Sequence, residues 1–362
     1  MKLKKFFQSL FKKFFQRLFE ILYGHIKLNK LKSFKYKKFK IESIYYKNRY
    51  HLNEVLYSVP NARIYTDLVE HVAIIQDNEL VQNVSFQQVN SILKDESYNK
   101  VLSNGTPRLL KKFNGNILSL VQGASGNNYF HFLFDIVTKI VLANSLISND
   151  EIDYFYLPGK KKWQTDILSE LNIDTKKIID SNRYRHIKAK NILALEHPWY
   201  KKGLIQEGVN NIPEWIVLYL RERFIDKYKK FESCEYIFID RSDSDFNRCK
   251  LINNKEIIDI LENKGFKSYR VSELSFFEQI YLFNKAKVII GPHGAAFSNL
   301  IFSNKKLKLF EIIPSDHLSF KCKRFSQILG FEYNRINLDR IKHESGDMLL
   351  DQKTLAKILN SV

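Results

Sequence analysis

The 362-residue sequence predicts an α/β protein built on a parallel sheet. Short apolar runs alternate with helically spaced segments through the second half, a βαβ succession that puts helices on both faces of a sheet. The runs are rich in β-branched residues and end at polar or glycine-bearing turns, as buried strands do. Polar groups then fall at the strand tips, where such sheets gather their ligands.

The elements follow in order. From about residue 41 the pattern is globular, with strands expected at 72–75 and 117–121. A small polar loop at 122–128 precedes a helix that starts at Tyr129, capped by Asn127 or Asn128. Further strands are expected at 154–157 and 192–195. Pro198, Gly203, Gly208 and Pro213 punctuate a connection between domains. A helix over 214–228 begins just after Pro213, because a proline's missing N–H would have no partner at a helix start. Beyond it come strand 236–239, helix 254–264 stopped by Gly265, strand 267–271, helix 275–285, strand 288–290, strand 307–313 and helix 319–329. The length favours two domains. Their expected limits are 41–212 and 213–345, flanked by a leader at 1–40 and a closing helix within 346–362. Cys234, Cys249 and Cys322 match no metal spacing and no even disulfide framework, which fits a reducing compartment.

The net charge of +19 is concentrated at the start. Residues 1–40 hold 13 Lys and Arg against the single acid Glu20, so +12 sits there. Leu3, Phe6, Phe7, Leu10, Phe11, Phe14, Phe15, Leu18, Phe19 and Leu22 recur at helical steps, with Lys4, Lys5, Lys12, Lys13 and Arg17 between them. Such a helix, over residues 2–22, is expected to lie on an anionic membrane surface as a peripheral element. Lysines interrupt it too often for it to span, and it lacks the continuous apolar core of a secretory signal. Docking on the protein's own core is the alternative. Nucleic acid is not expected, since no binding module accompanies the charge. Residues 27–40 read as a basic linker.

The central stretch is Val288-Ile289-Ile290-Gly291-Pro292-His293-Gly294-Ala295-Ala296-Phe297-Ser298-Asn299. Strand, tight turn and helix start aim backbone N–H groups at one point, which suits a diphosphate. His293 adds a donor able to carry charge, and Gly294 and Ala295 allow close approach. Arg241 and Arg248, in the loop after strand 236–239, are expected to reach the same anion through their guanidinium forks. Glu311 lies near the tip of the next strand. Asp243 and Asp245 offer a weaker alternative, a divalent-cation site. Asn253 with Glu256, and Ser275 with Glu278, are spaced as capping boxes. In the first half, His131 and Asp135 stand four apart on one face of an apolar helix, a candidate active-site wall.

Several of these motifs, in this order, resemble glycosyltransferase family 61. They are Asn128-Tyr129-Phe130-His131-Phe132-Leu133-Phe134-Asp135, the Arg241…Arg248…Asn253…Glu256 loop, Phe276-Phe277-Glu278-Gln279, Gly291-Pro292-His293-Gly294-Ala295-Ala296-Phe297-Ser298-Asn299 and Phe310-Glu311. The likeness covers roughly residues 115–335. It implies a GT-B-like architecture, two Rossmann-like domains facing a cleft, and transfer with inversion from a nucleotide-sugar held mainly by the C-terminal domain. Members include bacterial capsular-polysaccharide enzymes. The family often carries Pro-Arg where this chain has Thr138-Lys139, and a second glycine at Ala296. Lys139 keeps the charge without the planar fork.

Chemistry and resemblance together assign Arg241, Arg248, His293, Gly294, Ala295 and Ala296 to the donor diphosphate and Glu311 to its ribose. Asp135 or His131 is the expected base, with Asn128, Lys139 and Asn299 as further candidates. No cofactor or metal is expected. The partners are a nucleotide-sugar, a glycan or lipid-linked acceptor, and the cytoplasmic face of a bacterial-type membrane. A membrane-associated nucleotide-binding scaffold without activity is the alternative. A dinucleotide-dependent oxidoreductase is disfavoured, because no Gly-x-Gly-x-x-Gly follows an early strand.

Overall fold

The computed structural model describes residues 2–28, 36–66, 71–121, 126, 128–159, 161–200, 203–244 and 248–362, and only the backbone within 2–12. Asn127, Asp245 and the linker lysines Lys30, Lys32 and Lys35 lie outside the described residues. The chain forms two compact units, Met1–Gly208 and Val209–Val362.

In the first unit, helix α1 (Lys2–Tyr23) precedes a large mixed sheet. Its strands include β1 (Lys37–Tyr45), β2 (Arg49–Pro60), β3 (Arg63–Tyr65), β4 (His71–Gln76), β5 (Phe86–Val89), β6 (Ile92–Lys94), β7 (Lys111–Ser119), β8 (Tyr154–Leu157), β9 (Ile178–Asp180) and β10 (His186–Leu195). Strands β9, β8, β7 and β10 are neighbours in that order and run parallel. Beyond β10 the sheet turns antiparallel through β3, β4, β5 and β6. The hairpin β1–β2 pairs with β10 through β2.

The antiparallel extension is not what a Rossmann-like first domain would carry, and local chemistry explains it. Asn90 and Ser91, between β5 and β6, both hold positive φ, as do Asp77 and Asn78 after β4. Such pairs build two-residue hairpin turns whose twist matches the flanking strands. A parallel crossover needs a dozen or more residues, which these connections lack. The expected linker is corrected by the β1–β2 hairpin, since Lys37, Lys38 and Lys40 lie in β1.

Register aligns the tips of β7, β8 and β10, with Leu118 opposite both Phe155 and Leu193. Over these tips runs a helical stretch, residues 129–144, that opens as an α-helical turn, widens over Phe132–Val137 to a π-helical turn, and closes as Thr138–Asn144. Asn128 caps it, accepting from Phe130 N at 3.0 Å. Wide turns of this kind are rare and recur at functional sites.

Helix α1 has two apolar sides. Phe15, Phe19 and Tyr23 stack in series, and Tyr23 sets its edge against His186. Gln16 Nε2 donates to Ser103 O at 2.7 Å, and Arg63 Nη2 to Tyr23 O at 2.9 Å. That side is docked on the unit. Phe14, Leu18, Ile21 and Leu22 are exposed, Ile21 to 82%. No described helix is long and apolar enough to cross a membrane.

The second unit holds a five-stranded sheet of β11 (Tyr236–Ile239), β12 (Lys267–Tyr269), β13 (Val288–Pro292), β14 (Lys308–Pro314) and β15 (Glu332–Leu338). All neighbours are parallel, in the order β12-β11-β13-β14-β15. Strand residues are buried in both directions of the pleat. Val288, Ile290, Phe310 and Ile312 pack with Ile257, Leu261, Leu355 and Ile358, while the intervening Ile289 and Leu309 are equally buried. This double burial is why the runs are apolar throughout rather than alternating. The order reverses between β11 and β13, and the tips of those two strands define the sheet's switch point.

Candidate functional site

In the second unit the switch point is bridged by one side chain. Arg241 follows β11, and its Nη1 donates to His293 O, just beyond β13. A Cβ on Gly294 would collide with that guanidinium, so glycine is required by the arginine's seat and not by backbone strain. Arg241 Nε is buried with no acceptor among the described residues. From the other side Lys321 Nζ, itself buried, donates to Gly294 O at 2.8 Å. Gly294 precedes a 3₁₀ helix, Ala295–Phe302, whose first N–H groups point back at the same turn. Asp240 fixes the base of the loop, accepting from Ser242 N, Ser242 Oγ, Asn254 Nδ2 and Arg270 Nε at 2.8–3.0 Å. Beside it opens a pocket of about 540 Å³ that includes Arg241, Lys250, Lys255 and Arg270 in its lining.

His293 is held by a buried acid. Its Nδ1 lies 2.5 Å from Glu311 Oε1; His293 follows β13, whose register with β14 sets Gly291 opposite Glu311. Cys322 Sγ donates to the same oxygen at 3.0 Å, and Tyr333 OH to Oε2 at 2.7 Å. Burial pushes Glu311 up, but these bonds more than offset it and hold the carboxyl at about 2. Burial pulls His293 down to about 4 against the attraction of Glu311. The consistent state is an ionised Glu311 accepting Nδ1–H from a neutral imidazole, which leaves Nε2 with its lone pair. Burial raises the Cys322 thiol, keeping it protonated as a donor. His293, Glu311 and Cys322 also form a set of potential metal ligands whose atoms lie within 4.8 Å of one another. In this structure they satisfy one another.

In the first unit Asp135 is fully buried. His131 Nδ1 lies 3.0 Å from Asp135 Oδ2, and His197 Nε2 lies 3.4 Å from Oδ1. Burial pushes the Asp135 carboxyl up, and the two histidines outweigh it, so it stays ionised. His197 Nδ1 accepts from Trp199 N and Tyr200 N, at 3.2 and 2.7 Å. That fixes its proton on Nε2, facing the carboxylate. Burial also takes His197 down to about 4, so it stays neutral. His131 has the opposite freedom. Its Nδ1 is engaged by Asp135 and, at 3.1 Å, by Tyr200 OH, so Nε2 carries the lone pair on a side chain that keeps 16% exposure. This is the arrangement of a general base oriented by a carboxylate. Lys139 lies a turn further on, brought by burial to about 8 despite Asp135.

Comparison with known proteins gives one decisive finding. Residues 129–310, half of the chain, match the family model described as Glycosyltransferase 61. The chain belongs to glycosyltransferase family 61. It is therefore a glycosyltransferase, an enzyme with a sugar donor and an acceptor. Comparison with curated proteins returns no match.

Several expectations for this family 61 transferase change with the geometry. Glu311, expected at the donor's ribose, is 1% exposed and bonded to His293, Cys322 and Tyr333, so it orients His293. His293 is neutral at rest and not a charged donor. Arg248 is exposed, and no contact among the described residues draws it toward Arg241. Asn299 is fully buried and donates to Gln279 Oε1 and Ala296 O, so it braces the turn from behind. Asp243 accepts from Ser272 Oγ. Asn253 makes no side-chain cap and instead ties itself to Leu350, whereas Ser275 and Glu278 do form their capping box.

Sequence reasoning missed His197, Tyr200, Lys321, Cys322 and Tyr333. His197 lies two residues past β10, so the strand-tip rule applied to the first half would have found it. Lys321 and Cys322 sit on a helix that only the fold brings to the turn.

Acid sensitivity follows. His293 and Glu311 protonate at about 4 and 2 in the folded chain, against ordinary values of 6.5 and 4.5. Unfolding therefore takes up protons below pH 6.5 on the histidine and below 4.5 on the glutamate, and stability falls as pH falls through those ranges. The melting temperature should drop between pH 7 and 5, and drop less in His293→Gln, in which His186 and His197 still contribute. An equal drop in the variant, read by calorimetry, would contradict the assignment.

Proposed function

We propose that this family 61 enzyme transfers a sugar, with inversion, from a nucleoside-diphosphate sugar to a glycan or lipid-linked acceptor in surface or capsular polysaccharide synthesis. The observation that carries the reading is the basic switch-point turn, where Arg241 and Lys321 flank a helix start. The diphosphate takes its place there, and the charge that develops on it as it leaves is met by preorganised donors. Arg248, exposed in the same loop, is available to the distal phosphate. His293 accepts a hydroxyl of the donor through Nε2, with Glu311 holding its tautomer. Positive charge comes from the chain itself, so the reaction as proposed needs no divalent cation.

The first unit serves the acceptor, in a GT-B type of division of labour. His131 Nε2 takes the acceptor hydroxyl's proton as that oxygen bonds to the anomeric carbon. The bond from that carbon to the diphosphate oxygen breaks at the same time, and its electron pair leaves with the diphosphate. Asp135 stabilises the resulting imidazolium without being exposed to the acceptor. His131→Ala should lower transfer by about 10²–10⁴-fold while leaving nucleoside-diphosphate affinity unchanged. Transfer at the wild-type rate would remove His131 from the mechanism.

The leader supports a peripheral position at the cytoplasmic face of the membrane. One side of α1 is docked on the unit, and the exposed side offers Phe14, Leu18, Ile21 and Leu22 beside Lys13 and Arg17. Apolar burial and attraction to anionic lipid then act together. The chain should float with vesicles containing phosphatidylglycerol, and Phe14→Glu with Ile21→Glu should abolish flotation. Equal flotation of the double variant would end this part of the proposal.

A further inference from the structure

Besides the donor turn, the first unit contains a cavity of about 350 Å³. It opens at the aligned tips of the parallel strands, where Ser119 and Val121 end or follow β7 and Ala194, Leu195 and Glu196 end or follow β10. Its opposite wall comes from the antiparallel extension, through Asn83, Ser85, Phe86, Lys94 and Glu96. Those residues precede the stretch that matches the family, 129–310.

We infer that this cavity is a binding site for one neutral sugar ring of the acceptor, and that its wall sets acceptor specificity. The inference rests on the transferase reading and names a pocket for its second substrate.

Charge argues first. Among the described lining residues two cations, Lys94 and Lys139, are matched by two acids, Glu96 and Glu196, and the histidine among them, His197, is neutral at physiological pH. A diphosphate pocket would carry a surplus of positive charge, as the switch point of the second unit does. A balanced set of carboxylates, amines and an amide instead pairs with neighbouring hydroxyls, which both donate and accept. Glu196 is already poised, with Oε1 accepting from Tyr57 OH at 2.5 Å and Asn83 Nδ2 at 3.1 Å.

Shape and position argue next. Phe86, Val84 and Leu93 supply apolar surface for the C–H face of a ring, and the volume lies at the small end of the roughly 300–1,000 Å³ usual for small-molecule sites. Tyr200 lines the cavity and places its OH 3.1 Å from His131 Nδ1. A sugar in the cavity is therefore one side chain from the base. A remote sugar ring bound here lends its binding energy to placing the reacting hydroxyl.

Saturation-transfer NMR on the full chain tests this with the methyl glycosides of glucose, galactose, xylose and N-acetylglucosamine, and with glucuronate and inorganic diphosphate as charged controls. At least one neutral glycoside should receive saturation. Its affinity should fall at least tenfold in Glu196→Gln and in Lys94→Ala, while nucleoside-diphosphate affinity, which also reports folding, stays within twofold. No transfer to any neutral glycoside, transfer only to the charged probes, or binding unchanged in both variants would overturn the inference. A chain that binds the glycoside but no nucleoside diphosphate would refute the donor assignment and leave this pocket standing.

Discussion

The contact of Arg241 with the His293–Gly294 backbone is the constraint on which the second unit's site depends. It joins the tips of β11 and β13 across the one place where the strand order reverses. Only a residue without a Cβ lets the guanidinium lie there. The buried charge meets a backbone carbonyl, which offsets part of the cost of its burial. Gly291 repeats the theme three residues earlier, within β13, since a Cβ there would come within 2.8 Å of Ile239 Cβ. Close packing of β11 on β13 thus brings their two polar ends to a common point.

Both units use the same local device, a fully buried carboxylate that fixes one histidine's tautomer. Glu311 does this for His293 and Asp135 for His131. Three donors satisfy Glu311, whereas Asp135 accepts from His131 and is faced by His197 at 3.4 Å; in both cases the neighbours keep the acid ionised despite burial. A buried charge without such partners would be neutralised instead. Around Asp135 the aromatic stack of His197 on Tyr200, 3.7 Å between centroids, holds the other donors in place. Burial lowers His293 and keeps it neutral.

Much of the second unit was legible in the sequence, because strands buried on both sides leave an unbroken apolar run. The tips that carry Asp240, Arg241 and His293 could therefore be found from period alone. The first unit was less legible. Its antiparallel strands are short, and their turns at Asp77-Asn78 and Asn90-Ser91 contain no glycine to announce them. Residue type also misled where burial decides function. Glu311, read from its strand-tip position, is buried and bonded to His293, Cys322 and Tyr333, and burial lowers His293; neither environment has a signal in residue type. Lys321 had no sequence signal, since a lysine on an amphipathic helix normally points to water. The leader was read as either membrane-facing or docked, and α1 has an exposed apolar side as well as a docked one.

The central claim is that the switch point of the second unit holds a diphosphate through Arg241. Calorimetric titration of the full chain with a panel of nucleoside diphosphates tests it most directly. At least one should bind, and Arg241→Ala should weaken it at least tenfold, about 1.4 kcal/mol. Gly294→Ala, which denies the arginine its seat, should weaken it in the same direction. Binding of every diphosphate unchanged by Arg241→Ala, or no binding by the wild-type chain, would contradict the account.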